Sequence, residues 1–413
     1  MNEEKHEETM QSTETEIARP ELNIKDLILS LAAVFVSACV LSGAVPSVVI
    51  GMATAALFAY VIIAIRNVAS VIQLLLTSVI VTAFTFLPTC GAAVLALMIG
   101  TGVLAWLFMT LPKYKWAPIG LLVVAYGLGF LVTSNPITPL FALAFLPSAT
   151  LMFWAHARDL GRTSTVLHTF LGFVLVFLAA LCAILFRHYG TIHYDVLMSF
   201  INELKQLFVT IATEAGKIFW ETIELLAAQS AASTESLEKL SELYSQAFSE
   251  SNLQITADAL MGLAPAIVGI PLLIISYLSD VVLLRKYYNT EWRSHMTPAA
   301  CALTIGPATA LIYVVCMVVV LFVQKQSVLL MAVTNMFFLL LPGLCLTGVS
   351  AVLFNIRRAS GLMKAVSIVL FAATISCMGI SSVYFLALWG AYATISAALH
   401  QKILQKLKEN DEE

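Results

Sequence analysis

From residue 27 to residue 187 the chain carries a single carboxylate, Asp159, and that one stands in a short polar turn. A water-soluble domain needs charged groups over its whole surface, whereas each charge at the centre of a bilayer costs about 3 kcal/mol or more. So long a stretch almost without acids can fold only as a protein that buries its helices in lipid. Composition agrees, with 60% apolar residues, 11% charged ones and a mean hydropathy of +0.91. Soluble domains carry about 25% charged residues. With 22 Lys+Arg against 25 Asp+Glu the net charge is −3, so no basic surface remains for nucleic acid. The sequence therefore excludes a soluble enzyme, a disordered chain and a nucleic-acid-binding domain, and predicts an all-α polytopic transmembrane bundle.

Apolar runs fall at 27–44, 48–65, 68–88, 92–111, 117–133, 139–157 and 166–186, then at 259–284, 299–323, 328–354, 365–382 and 384–399. At ~20 residues per crossing, these make about twelve spans. The pair 365–399 reads either as one kinked helix or as two spans meeting near Gly379–Ser382. Lys and Arg decide between them. If the N-terminus is cytoplasmic, the inside loops collect Lys25, Arg66, Lys113, Lys115, Arg158, Arg162, Arg285, Lys286, Arg293, Arg357, Arg358 and Lys364. The outside turns at 45–47, 89–91 and 134–138 hold none, and the turn at 324–327 holds Lys325 alone. The positive-inside rule then predicts both termini inside, with Lys402, Lys406 and Lys408 in the closing tail, provided that 365–399 crosses twice. The expected location is the cytoplasmic (inner) membrane.

Residues 1–26 are acidic and polar, with no basic region ahead of an apolar one, so they read as a disordered cytoplasmic tail rather than a cleaved signal. The expected organisation continues with a membrane bundle of about seven spans over 27–187 and an extracytoplasmic segment over 188–258. A second bundle of about five spans at 259–400 and a cytoplasmic tail at 401–413 complete it. The outer segment has ten acids and three lysines. Apolar residues recur at helical spacing from Leu197 to Phe219, and again at Leu237, Leu240, Tyr244 and Phe248 after a candidate N-cap at Ser233–Thr234. Two amphipathic helices in a hairpin are predicted, either covering the ends of the spans or binding a partner.

Chemistry-bearing residues are few. The seven cysteines lie in or beside apolar runs without a C-x-x-C pair, so neither a disulfide framework nor a zinc site is expected. No metal or cofactor is predicted. His188, His193 and Asp195 have only loose ligand spacing. There is no H-E-x-x-H, no nucleophile elbow and no phosphate-cradling glycine loop, so the chain reads as a non-enzyme that hydrolyses no ATP. Asp280 is the acid nearest a membrane interior, one turn inside the expected cytoplasmic end of its helix, and it predicts an interfacial ion pair with Arg285 or Lys286. The turn Arg158-Asp159-Leu160-Gly161-Arg162 is similar to the R-D-x-G-R loop of major-facilitator transporters, but it lies between the wrong spans for that fold and reads as a basic turn.

Helix breakers give a better lead. Pro271, Gly306-Pro307 and Pro342-Gly343 fall in three consecutive C-terminal runs, with Pro147 in an earlier one. Interrupted helices at mid-membrane free backbone groups, and such helices often frame transporter sites. Tyr277, Thr304, Pro307, Asn335 and Pro342 are therefore the candidate lining of a cavity for a neutral or weakly polar small molecule. Small residues at four-residue spacing, Gly43, Ser47, Gly51 and Ala55, then Ala92, Ala96 and Gly100, predict close helix packing.

Over residues 195–400 the chain resembles the YybS-like family of bacterial multi-pass membrane proteins of unknown function. The likeness rests on an acidic amphipathic segment running into Leu260-Met261-Gly262-Leu263-Ala264-Pro265-Ala266. It continues through Gly343-Leu344-Cys345-Leu346-Thr347-Gly348 to the basic turn Arg357-Arg358, and ends on an apolar stretch with Leu388-Trp389-Gly390. The family's closing Gly-x-x-Asp has Tyr392 or Ala393 in the acid's place. The family's N-terminal half is similar to the substrate-binding subunits of energy-coupling-factor vitamin transporters, which implies a transport role. The expected function is a small-molecule permease or substrate-capture subunit, with the bilayer as its setting and a separate ATPase as its partner. The alternative is a cell-envelope scaffold that binds an envelope protein through 188–258. An enzyme acting on lipid-linked substrates would need an acid–base pair that the sequence lacks.

Overall fold

The computed structural model describes residues 27–30, 32–34, 37, 88–110, 145–158, 160–230, 234–287, 305–323, 327–379 and 381–412. The expected tail at 1–26, the small-residue stripe from Gly43 to Ala55, and the runs at 48–65, 68–88 and 117–133 lie all or nearly all outside these residues. Every described element is an α-helix: α1 (Pro88–Thr110), α2 (Phe145–Ala157), α3 (Arg162–Tyr189), α4 (Tyr194–Ser230), α5 (Thr234–Ala247), α6 (Glu250–Gly262), α7 (Ala264–Tyr287), α8 (Pro307–Phe322), α9 (Val328–Arg358), α10 (Gly361–Met378) and α11 (Ser381–Glu412). Five of these, α3, α7, α9, α10 and α11, are long and apolar enough to cross a membrane, and α8 and the Val94–Met109 stretch of α1 are shorter apolar segments.

The described residues form two compact units. One holds those up to 173 together with 273–287, and the other holds 174–272 and 305–412.

In the first unit, glycines bring helices to backbone contact. A Cβ on Gly102 of α1 would lie 2.6 Å from the Ser279 carbonyl oxygen of α7, and one on Gly172 of α3 would lie 2.5 Å from the Ser148 Cα of α2. Gly100, the last residue of the expected small-residue stripe, faces the Phe145 ring. In a membrane, where burying apolar surface gives no advantage over lipid, such contact supplies the packing energy.

The second unit is built on α8, α9 and α11. Tyr313, Phe337 and Tyr384 stack in series, with ring centroids 5.0 and 6.1 Å apart and planes 13° and 8° from parallel. Between α10 and α11 the chain turns at Gly379, whose φ of 53° and ψ of −129° suit glycine alone. The Ser382 hydroxyl donates to the Gly379 carbonyl at 2.6 Å, so 365–399 forms two helices broken where the sequence suggested.

Outside the apolar helices, two predicted amphipathic helices become three. The break falls at Phe248–Ser249, where the Asn252 amide donates to the Gln246 carbonyl at 2.6 Å and closes α5 against α6. Helix α5 begins at Thr234; Ser233, half of its expected N-cap, is outside the described residues. Only Leu263 separates α6 from α7.

Candidate functional site: a buried carboxylate in the first unit

Asp280 sits in the last third of α7, on the same helix as Ser276 and Ser279, and all three are fully buried. Two other helices reach it. His156, in the last turn of α2, donates from Nε2 to Oδ1 at 3.1 Å, and Arg162, the first residue of α3, donates from Nε to Oδ2 at 2.9 Å. The turn between α2 and α3 makes this possible. The Arg158 amide bonds the Trp154 carbonyl at 3.2 Å and the Leu160 amide bonds the Ala155 carbonyl at 3.0 Å, so the chain reverses within a few residues.

The Arg162 guanidinium also lies 5.0 Å from the centroid of the Tyr277 ring, one turn before Asp280. Tyr277 thus cushions the cation that neutralises the acid. An ionised carboxylate only accepts hydrogen bonds, so the contact assigns the Nε2–H form to His156. Exposure is graded, with the side chain of Asp280 at 0%, Arg162 at 12% and His156 at 16%. The acid is thus sealed, and its partners lead outward. Further out, Arg158 lies over the Trp154 ring at 4.5 Å, Trp154 meets His168 at 5.1 Å, and His168 Nδ1 donates to the Ser164 carbonyl at 2.7 Å.

Such a cluster is held by mutual need. Removing one partner of a buried ion pair costs roughly 3–5 kcal/mol, because the other charge is stranded away from water. A proton, an ion or a polar solute that competes for Asp280 therefore acts on α2, α3 and α7 together.

From the sequence, Asp280 is expected as the acid nearest a membrane interior, paired within its own helix with Arg285 or Lys286. Both of its oxygens are engaged from α2 and α3, and the side chain of the expected partner Arg285 lies outside the described residues. The reading missed His156 and treated Arg162 as part of a plain basic turn. A usable signal existed, because the loop containing Arg162 and the end of α7 containing Asp280 were both assigned to the cytoplasmic side.

The candidate cavity residues fall elsewhere. Tyr277 belongs to the first unit, whereas Pro307, Asn335 and Pro342 belong to the second, so neither unit assembles the expected lining by itself. Thr304 is outside the described residues. Pro307 is the first residue of α8 rather than a break within it, with Gly306 as N-cap. Pro342 and Pro271 do stand inside helices, α9 and α7.

Asn335 has a definite task. Its Nδ2 donates to the Gly262 carbonyl at 2.7 Å and to the Met331 carbonyl at 2.9 Å, and its Oδ1 accepts from the Ala266 amide at 2.9 Å. It ties the end of α6 and the start of α7 to α9, satisfying backbone groups that helix ends leave open. With both amide hydrogens engaged, it offers no free donor to a solute.

Among the described residues no three His, Cys, Asp or Glu side chains gather as a metal site. No family model, no curated protein and no solved structure matches this chain.

Proposed function

We propose that this protein is a multi-pass membrane permease or substrate-capture subunit for a neutral or weakly polar small molecule, with the Asp280–Arg162–His156 cluster as its gate. One observation carries the reading: a fully buried carboxylate, held by two other helices, inside a helix apolar enough to cross a membrane. Ionisable groups in such helices are costly and mark solute or ion pathways more often than they mark packing. Arg162 balances the charge, and the partly exposed His156 gives a solute its way in. The chain supplies no nucleotide-binding loop, so any ATP hydrolysis belongs to a separate partner.

The test is osmotic swelling of proteoliposomes, followed by stopped-flow light scattering with a panel of small neutral solutes. At least one solute should enter faster than into protein-free liposomes, and Asp280→Asn should remove that increment while leaving the protein folded. Entry at the protein-free rate for the whole panel, or an unchanged rate in Asp280→Asn, overturns the proposal.

A further inference from the structure

Helix α4 has two apolar faces, and the hairpin uses one. On that side Trp220 stacks on Tyr244 with centroids 4.9 Å apart, Gly216 lies against the Phe248 ring, and Lys205 Nζ meets Asp258 at 2.6 Å. The opposite side carries a second line: Leu207, Ile211, Glu214, Ile218, Glu221 and Leu225, each three or four residues from the next. Residues at that spacing share one helix face, and this one extends about 27 Å at 1.5 Å per residue. Its four apolar members are 54–65% exposed. Its two charged members are both acids, and they alternate with apolar residues along the lower part of the line.

This pattern selects its occupant. A second copy of the chain would set Glu214 and Glu221 against like charges if parallel, and against like charges or apolar residues such as Ile218 and Ile211 if antiparallel. A bilayer surface with anionic headgroups would repel the same acids, and α4 is not among the five described helices long and apolar enough to cross a membrane. A basic amphipathic helix meets both demands, its apolar residues covering Leu207, Ile211, Ile218 and Leu225 while its lysines or arginines approach the two acids. Lys217, at the edge of the line, bonds Glu214 at 2.8 Å, but both groups are well exposed. Such a pair contributes little and yields readily to an incoming cation.

We infer that this face of α4 docks a basic amphipathic helix of a partner protein. The inference is independent of the permease reading and makes no use of the Asp280 cluster.

The test uses the full chain in nanodiscs of zwitterionic lipid, with a photo-crosslinking residue in place of Ile218 or, as an off-face control, of the exposed Gln206. The probe is a synthetic 21-residue amphipathic helix of leucine and lysine, and its counterpart has glutamate for lysine. The expected result is an adduct at position 218 with the lysine peptide at least tenfold above that with the glutamate peptide, and at least tenfold above that at position 206. Glu214→Lys with Glu221→Lys should reverse the preference between peptides, and circular dichroism of this exposed-site variant should match the parent. Equal adducts with both peptides, equal adducts at 218 and 206, or a preference untouched by the double substitution overturns the inference. Quenching of a fluorophore at position 218 by brominated lipid, equal with and without peptide, assigns the face to the bilayer instead and overturns it too.

Discussion

Gly348 of α9 and Gly390 of α11 face each other across a reciprocal contact. A Cβ on Gly348 would overlap the Leu386 carbonyl oxygen, and one on Gly390 would overlap the Leu344 carbonyl oxygen. Each glycine therefore rests on the carbonyl four residues before the other, and the two backbones touch with no side chain between them. Because the obstacles are backbone atoms, neither can rotate away.

Gly348→Ala or Gly390→Ala should separate α9 from α11. Alanine favours an isolated helix by about 1 kcal/mol over glycine, so a net loss would measure the contact itself. We expect each variant to lose about 2 kcal/mol or more, in the range of overpacked sites. Thermal denaturation in detergent should show a lower midpoint for both. Gly361→Ala, where nothing lies near the added carbon, should be unchanged or raised.

Arg162→Met should destabilise the protein by roughly 3–5 kcal/mol through the stranded Asp280. Asp280→Leu in the same chain should restore most of that loss. Strong non-additivity in a double-mutant cycle is the expected outcome, read by denaturation in detergent. Purely additive effects would mean that the two side chains do not depend on one another.

Asn335→Ala removes three hydrogen bonds at the corner of α6, α7 and α9. A buried group left unpaired costs about 1–3 kcal/mol. Amide hydrogen exchange at Ala266 and Ile267 should accelerate by roughly tenfold to a hundredfold, since opening this corner requires no global unfolding. Exchange elsewhere in α9 should change much less.

Sidedness is testable with single cysteines in a background lacking the native seven. A membrane-impermeant maleimide should label Ser199→Cys in intact cells and Gln401→Cys only after permeabilisation. The reverse pattern would invert the orientation drawn from the lysines and arginines. Equal labelling of both in intact cells would place the hairpin and the C-terminal end of α11 on one side.

Local features were the legible ones. The run at 166–186 becomes α3 because 21 residues, 18 of them apolar and none an acid, lysine or arginine, have no better state in lipid, and the break at Gly379 was visible because glycine marks backbone that other residues avoid. The split between α5 and α6 was written in Ser249, Ser251 and Asn252, turn-formers that compete with the helix for hydrogen bonds. The second amphipathic helix expected from the sequence ends at Phe248, with no helix expected over 249–258, where α6 stands. Partnerships at long range were not legible. Asn335 looks like any polar residue in an apolar run until the corner it ties is seen, and the shared side expected for Asp280 and Arg162 neither pairs them by itself nor names His156.

The distance between those partners along the chain has a consequence for how the protein is made. Arg162 and Asp280 are 118 residues apart, so a ribosome adding 5–20 residues per second delivers the acid roughly ten seconds after the cation. During that interval Arg162 and His156 stand without their carboxylate. The segment that becomes α7 must then enter the bilayer with an acid in it, at a cost of about 3 kcal/mol at the centre of a span and less towards its end. A waiting guanidinium lowers that cost on arrival. The first unit can therefore close around this cluster only after α7 has been made, however early α2 and α3 are complete.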